Sequence, residues 1–342
     1  MKSFLSNEDK MALALLALTA LLIFASGWIS PSLGSWNQVR STLVLSTFVM
    51  LVGFGQQTVM LTGGLDLSVP AIVTLGAVAL FSWVGADPAA LTWGIPAVLG
   101  LCATIGAING VFVALLRVPP FIMTLAMGMI VASALLGITG GSPRGEAAPA
   151  VAFLFTGEWL GLPPVVYLMA GFTALALLWQ RHSGFGRMVY AVGTSAEAAR
   201  IAGLPVARVT VLCYAISGAS AGAAGILYVG FSGGATLDTG TDILIPVIAA
   251  VVVGGTSIMG GRGSFLGVVG GALLLTTFSI MITAIGMSAG WRAVINGGVI
   301  LIALLTLQEN IRAWGASKLR AFGSKRCLGV IGSATTVKRK TS

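Results

Sequence analysis

The sequence predicts an all-α membrane protein: a polytopic bundle of about ten transmembrane helices with both termini in the cytoplasm. Three observations lead there: too few charges for a water-covered surface, apolar runs of membrane-spanning length, and a lopsided distribution of Lys and Arg. Of 342 residues, 56% are apolar and 8% charged, with a mean hydropathy of +0.99. A soluble domain carries about 25% charged residues to cover its core, so the bilayer must be the main solvent here. The formal net charge of +9 does not mark a nucleic-acid binder, because the cations are scattered between apolar runs and no basic–aromatic face repeats. His182 and the cysteines Cys102, Cys213 and Cys327 have no metal-ligand spacing and imply no disulfide framework.

A bilayer core takes about 20 apolar residues per helix. Windows of that length fall at about 11–29, 42–61, 69–84, 91–116, 121–139, 164–180, 209–230, 242–256, 265–287 and 293–308. The first is too long for the apolar region of a signal peptide, and the MKSFLSNEDK ahead of it holds two acids as well as two lysines, so it reads as a retained helix. The second carries Gln56 and Gln57 in mid-span, the fourth Asn109 and the tenth Asn296. The third and eighth are short and flanked by glycine, and the pairs Gly63-Gly64 and Gly254-Gly255 give a faint internal likeness. The external segment 140–163 is too short to fold alone, and the internal segment 181–208 is basic. Residues 1–310 are therefore expected to form one membrane domain. Residues 311–342 are expected to form a basic, disordered cytoplasmic tail with affinity for anionic lipid.

Positive charge tests the span count independently. With the N-terminus inside and the spans alternating, cytoplasmic segments hold 16 Lys and Arg; the other side holds Arg40, Arg144 and Arg292. Discounting the eight tail cations still leaves 8 against 3. An odd number of spans scrambles this bias.

A proton-coupled transporter needs titratable groups inside the membrane. Nine of the ten acids fall in loops, at span edges or beside the end spans; Asp66, near the cytoplasmic end of the second hairpin, is the exception. Sodium coupling through broken-helix carbonyls stays open. No GxxxxGK[ST] phosphate loop is present. Phe231-Ser232-Gly233-Gly234-Ala235 superficially resembles an ATP-cassette signature but lies in an external loop. No paired carboxylates, histidine cluster or Ser–His arrangement suggests membrane-enzyme chemistry, so no catalytic residue, metal or cofactor is implied. Energy comes from another subunit, or the protein is passive.

Four segments resemble the ribose-type permease family of bacterial ABC importers, in the family's order and over about residues 40–305. They are Gly63-Gly64-Leu65-Asp66-Leu67-Ser68; Asn109-Gly110 with Arg117-Val118-Pro119-Pro120-Phe121; Gly184-Phe185-Gly186-Arg187 through Ala191-Val192-Gly193 to Ala198-Ala199-Arg200-Ile201-Ala202-Gly203; and Val253-Gly254-Gly255-Thr256-Ser257 with Gly260-Gly261-Arg262-Gly263. Pro70 stands where the family usually has Gly, and Thr194-Ser195 replaces a common Asn-containing turn. The resemblance implies a multi-pass permease of the bacterial inner membrane, moving a ribose-like monosaccharide and lacking ATPase activity of its own. It further implies a second permease copy, identical or not, an ABC ATP-binding subunit on the cytoplasmic face and a periplasmic sugar-binding protein outside. Alternatives are a same-family permease for a furanose signalling sugar, inositol or a nucleoside, and, from another class, a secondary transporter.

Within the internal loop, Glu197-Ala198-Ala199 followed by Gly203-Leu204 resembles an importer's ATPase-coupling loop, to which Arg187 is added. Ser195 is placed to cap a short helix there and Gly203 to stop it; a plain amphipathic connector is the alternative. Asp66 precedes Ser68 and Pro70 and is expected to cap the third span, with gating as the other reading. Gln56, Gln57, Asp66, Asn109 and Asn296 form the candidate translocation path or gate, although each buried amide can equally hold helices together.

Overall fold

The computed structural model describes residues 7–28 and 33–288, with 290, 291, 294, 295, 297 and 298. The chain divides into two units, 1–297 and 298–342. Apart from Gly298 the second unit, with the tail expected over 311–342, lies outside the described residues, as do Asn296 and most of the span expected over 293–308.

The described chain is all-helical, with an isolated bridge between Trp159 and Leu162. Its helices are α1 (Asn7–Ser26), α2 (Trp36–Leu61), α3 (Val69–Val78), α4 (Pro88–Ala114), α5 (Pro120–Thr139), α6 (Pro149–Thr156), α7 (Pro164–His182), α8 (Gly184–Thr194), α9 (Ala196–Ile201), α10 (Val206–Ser232), α11 (Leu244–Val253) and α12 (Phe265–Ala284); α3 runs on into a π-helical stretch, Ala79–Val84. Nine of the ten apolar windows carry a helix; α6 and α8 occupy segments expected as loops, and α9 is the short helix expected within the internal loop. Among the described residues α2, α4, α5, α10 and α12 are long and apolar enough to cross a membrane, while α1, α3 and α11 are shorter apolar helices. A polytopic all-α membrane protein is the result.

Local chemistry sets the helix starts. Ser35 and Asp87 accept from Gln38 N and Ala89 N to cap α2 and α4. Proline opens α3, α4, α5, α6 and α7 in the first turn, where its missing N–H has no intrahelical acceptor to lose.

Two central helices organise the packing. α2 is buried along most of its length, whereas α4 and α5 are mostly exposed and present apolar side chains such as Phe112, Met129 and Ile130 outward. The chain order crosses over: α3 and α4 follow α2 yet lean on α10, while α11 and α12 follow α10 yet lean on α2. The sequences echo this exchange, since Asp66 stands four residues before Pro70 in α3 and Asp242 four before Pro246 in α11. Small residues allow the central pair to close up. A Cβ on Gly55 of α2 would stand 2.7 Å from the Ser217 Cα of α10, the close backbone approach that substitutes for a hydrophobic driving force in lipid.

α3 begins inside the molecule rather than at its end. Ser68 lies beside Gly128, where an added Cβ would come within 3.4 Å of the Ser68 Cα; that glycine is eight residues into α5, about 12 Å along its axis. Ser217, which binds Asp66, is eleven residues into α10, about 16 Å from its start. The 62–68 segment therefore turns back beside α2 and α10 before α3 departs.

Candidate functional site

The first candidate site is the elbow of α8 and α9. Ser183 accepts from Gly186 N at 2.8 Å and starts α8. Its apolar face, Val189 and Val192, packs on Val59 and Leu61 of α2 and on Val209, Cys213 and Tyr214 of α10. Arg187 lies on the opposite, exposed face. Ser195 then caps α9, accepting from Ala198 N at 3.2 Å. The helix stops in a Schellman arrangement: Leu204 N donates to Ala199 O at 3.0 Å and Gly203 N to Arg200 O at 3.0 Å. Gly203 has φ +79°, a left-handed conformation that disfavours any side chain with a Cβ. Ala199 and Leu204 turn inward onto the core under the elbow, while Glu197, Ala198, Arg200 and Ile201 stand exposed. Ile201 is 82% exposed, an apolar side chain displayed beside the Glu197–Arg200 ion pair at 4.0 Å. That pair is open to solvent and contributes little stability.

Backbone contacts fasten this elbow to two other motif segments. Gly261 N donates to Leu61 O at 3.0 Å, Tyr190 OH to Gly263 O at 2.6 Å, and Gly193 lies so close to Leu61 and Gly261 that a Cβ has no room. α2 and α11 close in the same Schellman manner, with Gly64 N donating to Val59 O and Thr256 N to Val251 O, each at 3.1 Å. The two glycine pairs of the sequence are these helix ends.

The second candidate site comprises the buried polar residues. Asp66 is fully buried; its Oδ1 accepts from Ser68 N at 3.0 Å and Ser68 Oγ at 2.6 Å, and its Oδ2 from Ser217 Oγ at 2.8 Å. Asn109 Nδ2 donates to Ser68 Oγ at 2.9 Å, extending the network to α4. Asp66 thus ties the re-entrant turn to α10. Its bond to a backbone N–H is to Ser68, ahead of α3, rather than to the first turn of that helix as the sequence suggested. Thr124 on α5 holds the other side, accepting from Leu67 N at 3.0 Å.

Gln56 and Gln57 have different surroundings. Gln57 Nε2 donates to Thr256 Oγ1 at 3.2 Å, Gln180 Nε2 donates to Gln57 Oε1 at 3.0 Å, and Phe265 N donates to Gln180 Oε1 at 3.0 Å. This amide relay joins α2, α7, the turn after α11 and the start of α12. Gln56 is equally buried but neither its Nε2 nor its Oε1 has a partner among the described residues. Gln180, Ser217 and Thr256 carry these networks and were missed as site residues. Gln180 ends an apolar window just before a basic stretch, and Ser217 is one small residue among many in α10. Among the described residues no group of three His, Cys, Asp or Glu gathers.

Comparison with known proteins bears on this geometry. The model of the branched-chain amino acid transport system permease component matches residues 38–304. The chain belongs to this permease family. Among its relatives is the ribose import permease RbsC of Escherichia coli strain K12, 34% identical over 302 residues that cover 87% of this chain and 92% of that protein. The fructose import permease FrcC of Rhizobium meliloti is 36% identical over 275 residues, 77% of this chain and 76% of its own. The galactose/methyl galactoside import permease MglC of Salmonella typhimurium is 32% identical over 326 residues, 89% and 95% of the two chains. No solved structure is a significant match. All four motif segments of this permease lie within the matched residues.

Proposed function

We propose that this permease is the membrane subunit of an ATP-driven importer that moves a monosaccharide across the bacterial inner membrane. The observation that carries the substrate class is that relatives covering most of the chain are named as ribose, fructose and galactose import permeases. ATP is hydrolysed on separate ATP-binding subunits, a secreted sugar-binding protein delivers the sugar, and two permease copies work together. Ten spans place both termini in the cytoplasm, in keeping with the Lys and Arg distribution.

The coupling surface is the outward side of α8 and α9, formed by Arg187, Glu197, Ala198, Arg200 and Ile201; Ala199 and Leu204 set its shape from beneath and Gly203 from the helix end. Supporting this reading, α9 is clamped at both ends and its neighbour α8 is bedded on α2 and α10, so a push on it travels to both central helices. Asp66, Gln57 and Asn109 act as struts of the moving parts, and Gln56 has hydrogen-bonding capacity to spare for the path.

Reconstitution with the partner subunits is the test. Proteoliposomes holding the permease, its ATPase and its binding protein should accumulate one of ribose, fructose or galactose when ATP is inside, and should not accumulate leucine. The permease alone should accumulate none. Uptake of leucine by the complete system would move the substrate to the amino-acid branch of the family, and gradient-driven sugar accumulation by the lone chain would make it a secondary transporter.

A further inference from the structure

Two short helices start near one another inside this molecule, and the space at their junction has no part in the proposed coupling. The 62–68 segment comes in from the end that carries the α8–α9 elbow and releases α3 beside the middle of α10. The 233–243 segment, which leaves the other end of α10, comes in from the opposite side and releases α11. The second segment meets the first turns of α3. Gly240 N donates to Thr74 Oγ1 at 3.0 Å, and the Gly240 backbone lies so close to Pro70 that a Cβ has no room. A cavity of about 250 Å³ opens there between α3, α5 and the 237–241 turn, with Leu67, Pro70, Thr74, Met129, Leu237 and Thr241 among its walls.

Size and chemistry limit the occupant. The volume falls below the range of roughly 300–1,000 Å³ typical of drug-sized ligands, and suits a single small sugar better than a disaccharide. The Thr74 hydroxyl is already engaged, accepting from Gly240 N and donating to Pro70 O at 3.0 Å. That leaves the Thr241 hydroxyl and turn backbone groups among apolar walls, enough to orient a neutral polyol but not to trap it. No cation lines the cavity, and the wall residues Leu237 and Thr241 adjoin the exposed carboxylates of Asp238 and Asp242 in the chain, a setting that disfavours anionic solutes such as sugar phosphates. Exposed acids beside the deep end of a half-helix are also costly against lipid, so this face needs water and protein in front of it.

We infer that this junction cavity is the midpoint of the sugar's route, a weak transit site walled on one side by α3, α5 and the 237–241 turn and completed by the second permease copy. The inference rests on the importer reading and adds the place where the monosaccharide crosses. It gives the two re-entrant segments a purpose: each interrupts the bilayer from one side, so tilting α3 or α11 opens the junction toward that side.

Cysteine modification of the full transporter tests it. Thr241→Cys and Leu237→Cys are made in a Cys327→Ser background and reconstituted with ATPase and binding protein; Cys102 and Cys213 are buried. A small charged methanethiosulfonate should abolish most uptake in both variants. Transported sugar with its binding protein should slow the modification, and ATPase co-purification should stay unchanged. Leu175→Cys, on the exposed side of α7, should keep its uptake after the same treatment. Complete modification at 241 and 237 with uptake retained overturns the transit site while leaving the importer reading intact. If the Cys327→Ser parent complex, with residues 237 and 241 intact, carries no monosaccharide at all, the importer reading fails and this inference with it.

Discussion

Neighbouring glutamines on one buried helix have opposite energetic roles. Gln57 accepts from Gln180 and donates to Thr256, so its replacement strands two buried polar groups. Gln56 has no partner among the described residues, so its replacement by an apolar side chain of similar volume removes an unsatisfied group and strands nothing. The cost of deletion follows the groups left behind rather than the group removed. Gln57→Leu is therefore expected to destabilise by about 1 kcal/mol, in the range of interhelical hydrogen bonds in membranes, while Gln56→Leu is expected to be neutral or mildly stabilising. Thermal unfolding of the two purified variants in detergent checks this. An equal loss in both would mean that Gln56 is satisfied by a bound water, and the contrast between the two glutamines would collapse. Uptake separates the roles further: Gln56→Leu should lose transport without losing stability if its spare amide serves the path.

At the scale of an element, α9 is only six residues, far too short to be helical on its own. Its shape comes from the Ser195 cap, the Gly203 stop and the bed provided by Ala199 and Leu204. Gly203→Val forces a β-branched residue into a left-handed conformation at roughly 1–2 kcal/mol and should displace the outward face while the membrane helices stay intact. Glu197→Lys keeps the shape and reverses a charge on that face. Both variants should reach the membrane at near-normal abundance yet lose sugar uptake and ATPase co-purification, whereas an ordinary connector would keep both. Normal uptake in the two variants rules out the coupling role. The elbow was legible in the sequence because caps and stops are local chemistry: Ser195 and Gly203 sit where their side chain and φ demand. The deep start of α3 was not legible. A hydropathy window measures length and apolarity, and it cannot tell a helix that begins at the membrane surface from one that begins about 12 Å inside. Asp66 likewise read as a local cap of the third span, when it is a tie to Ser217 on a helix about 150 positions later in the chain. Long-range partners such as Gln180 with Gln57 leave no periodic trace.

For the whole molecule, the decisive question is which end faces the cytoplasm. Three segments far apart in sequence gather at one end: the turn after α2, the end of α8 and the 254–264 turn, joined by the bond from Gly261 N to Leu61 O and the packing of Gly193 on both. Sharing one compartment requires even numbers of crossings between them, which the alternating assignment of spans provides. The segment between α5 and α7, holding Glu146 and Glu158, should then lie on the other side. Cations decide the sign: the gathered end holds Arg187, Arg200 and Arg262, against Arg144 in the α5–α7 segment, and cytoplasmic loops are the ones enriched in Lys and Arg. Glu158→Cys should accordingly react with a membrane-impermeant maleimide in spheroplasts, which retain the inner membrane alone. Ala198→Cys should stay silent until that membrane is opened, and Cys327 with it, because the proposed even span count also puts the tail inside. Positions 158 and 198 are both exposed, so burial does not explain a negative result. Labelling at 198 with silence at 158 inverts the chain and removes the elbow from the compartment where ATP is found. Labelling at 158 together with Cys327 in unopened spheroplasts would leave the elbow inside but make the span count odd.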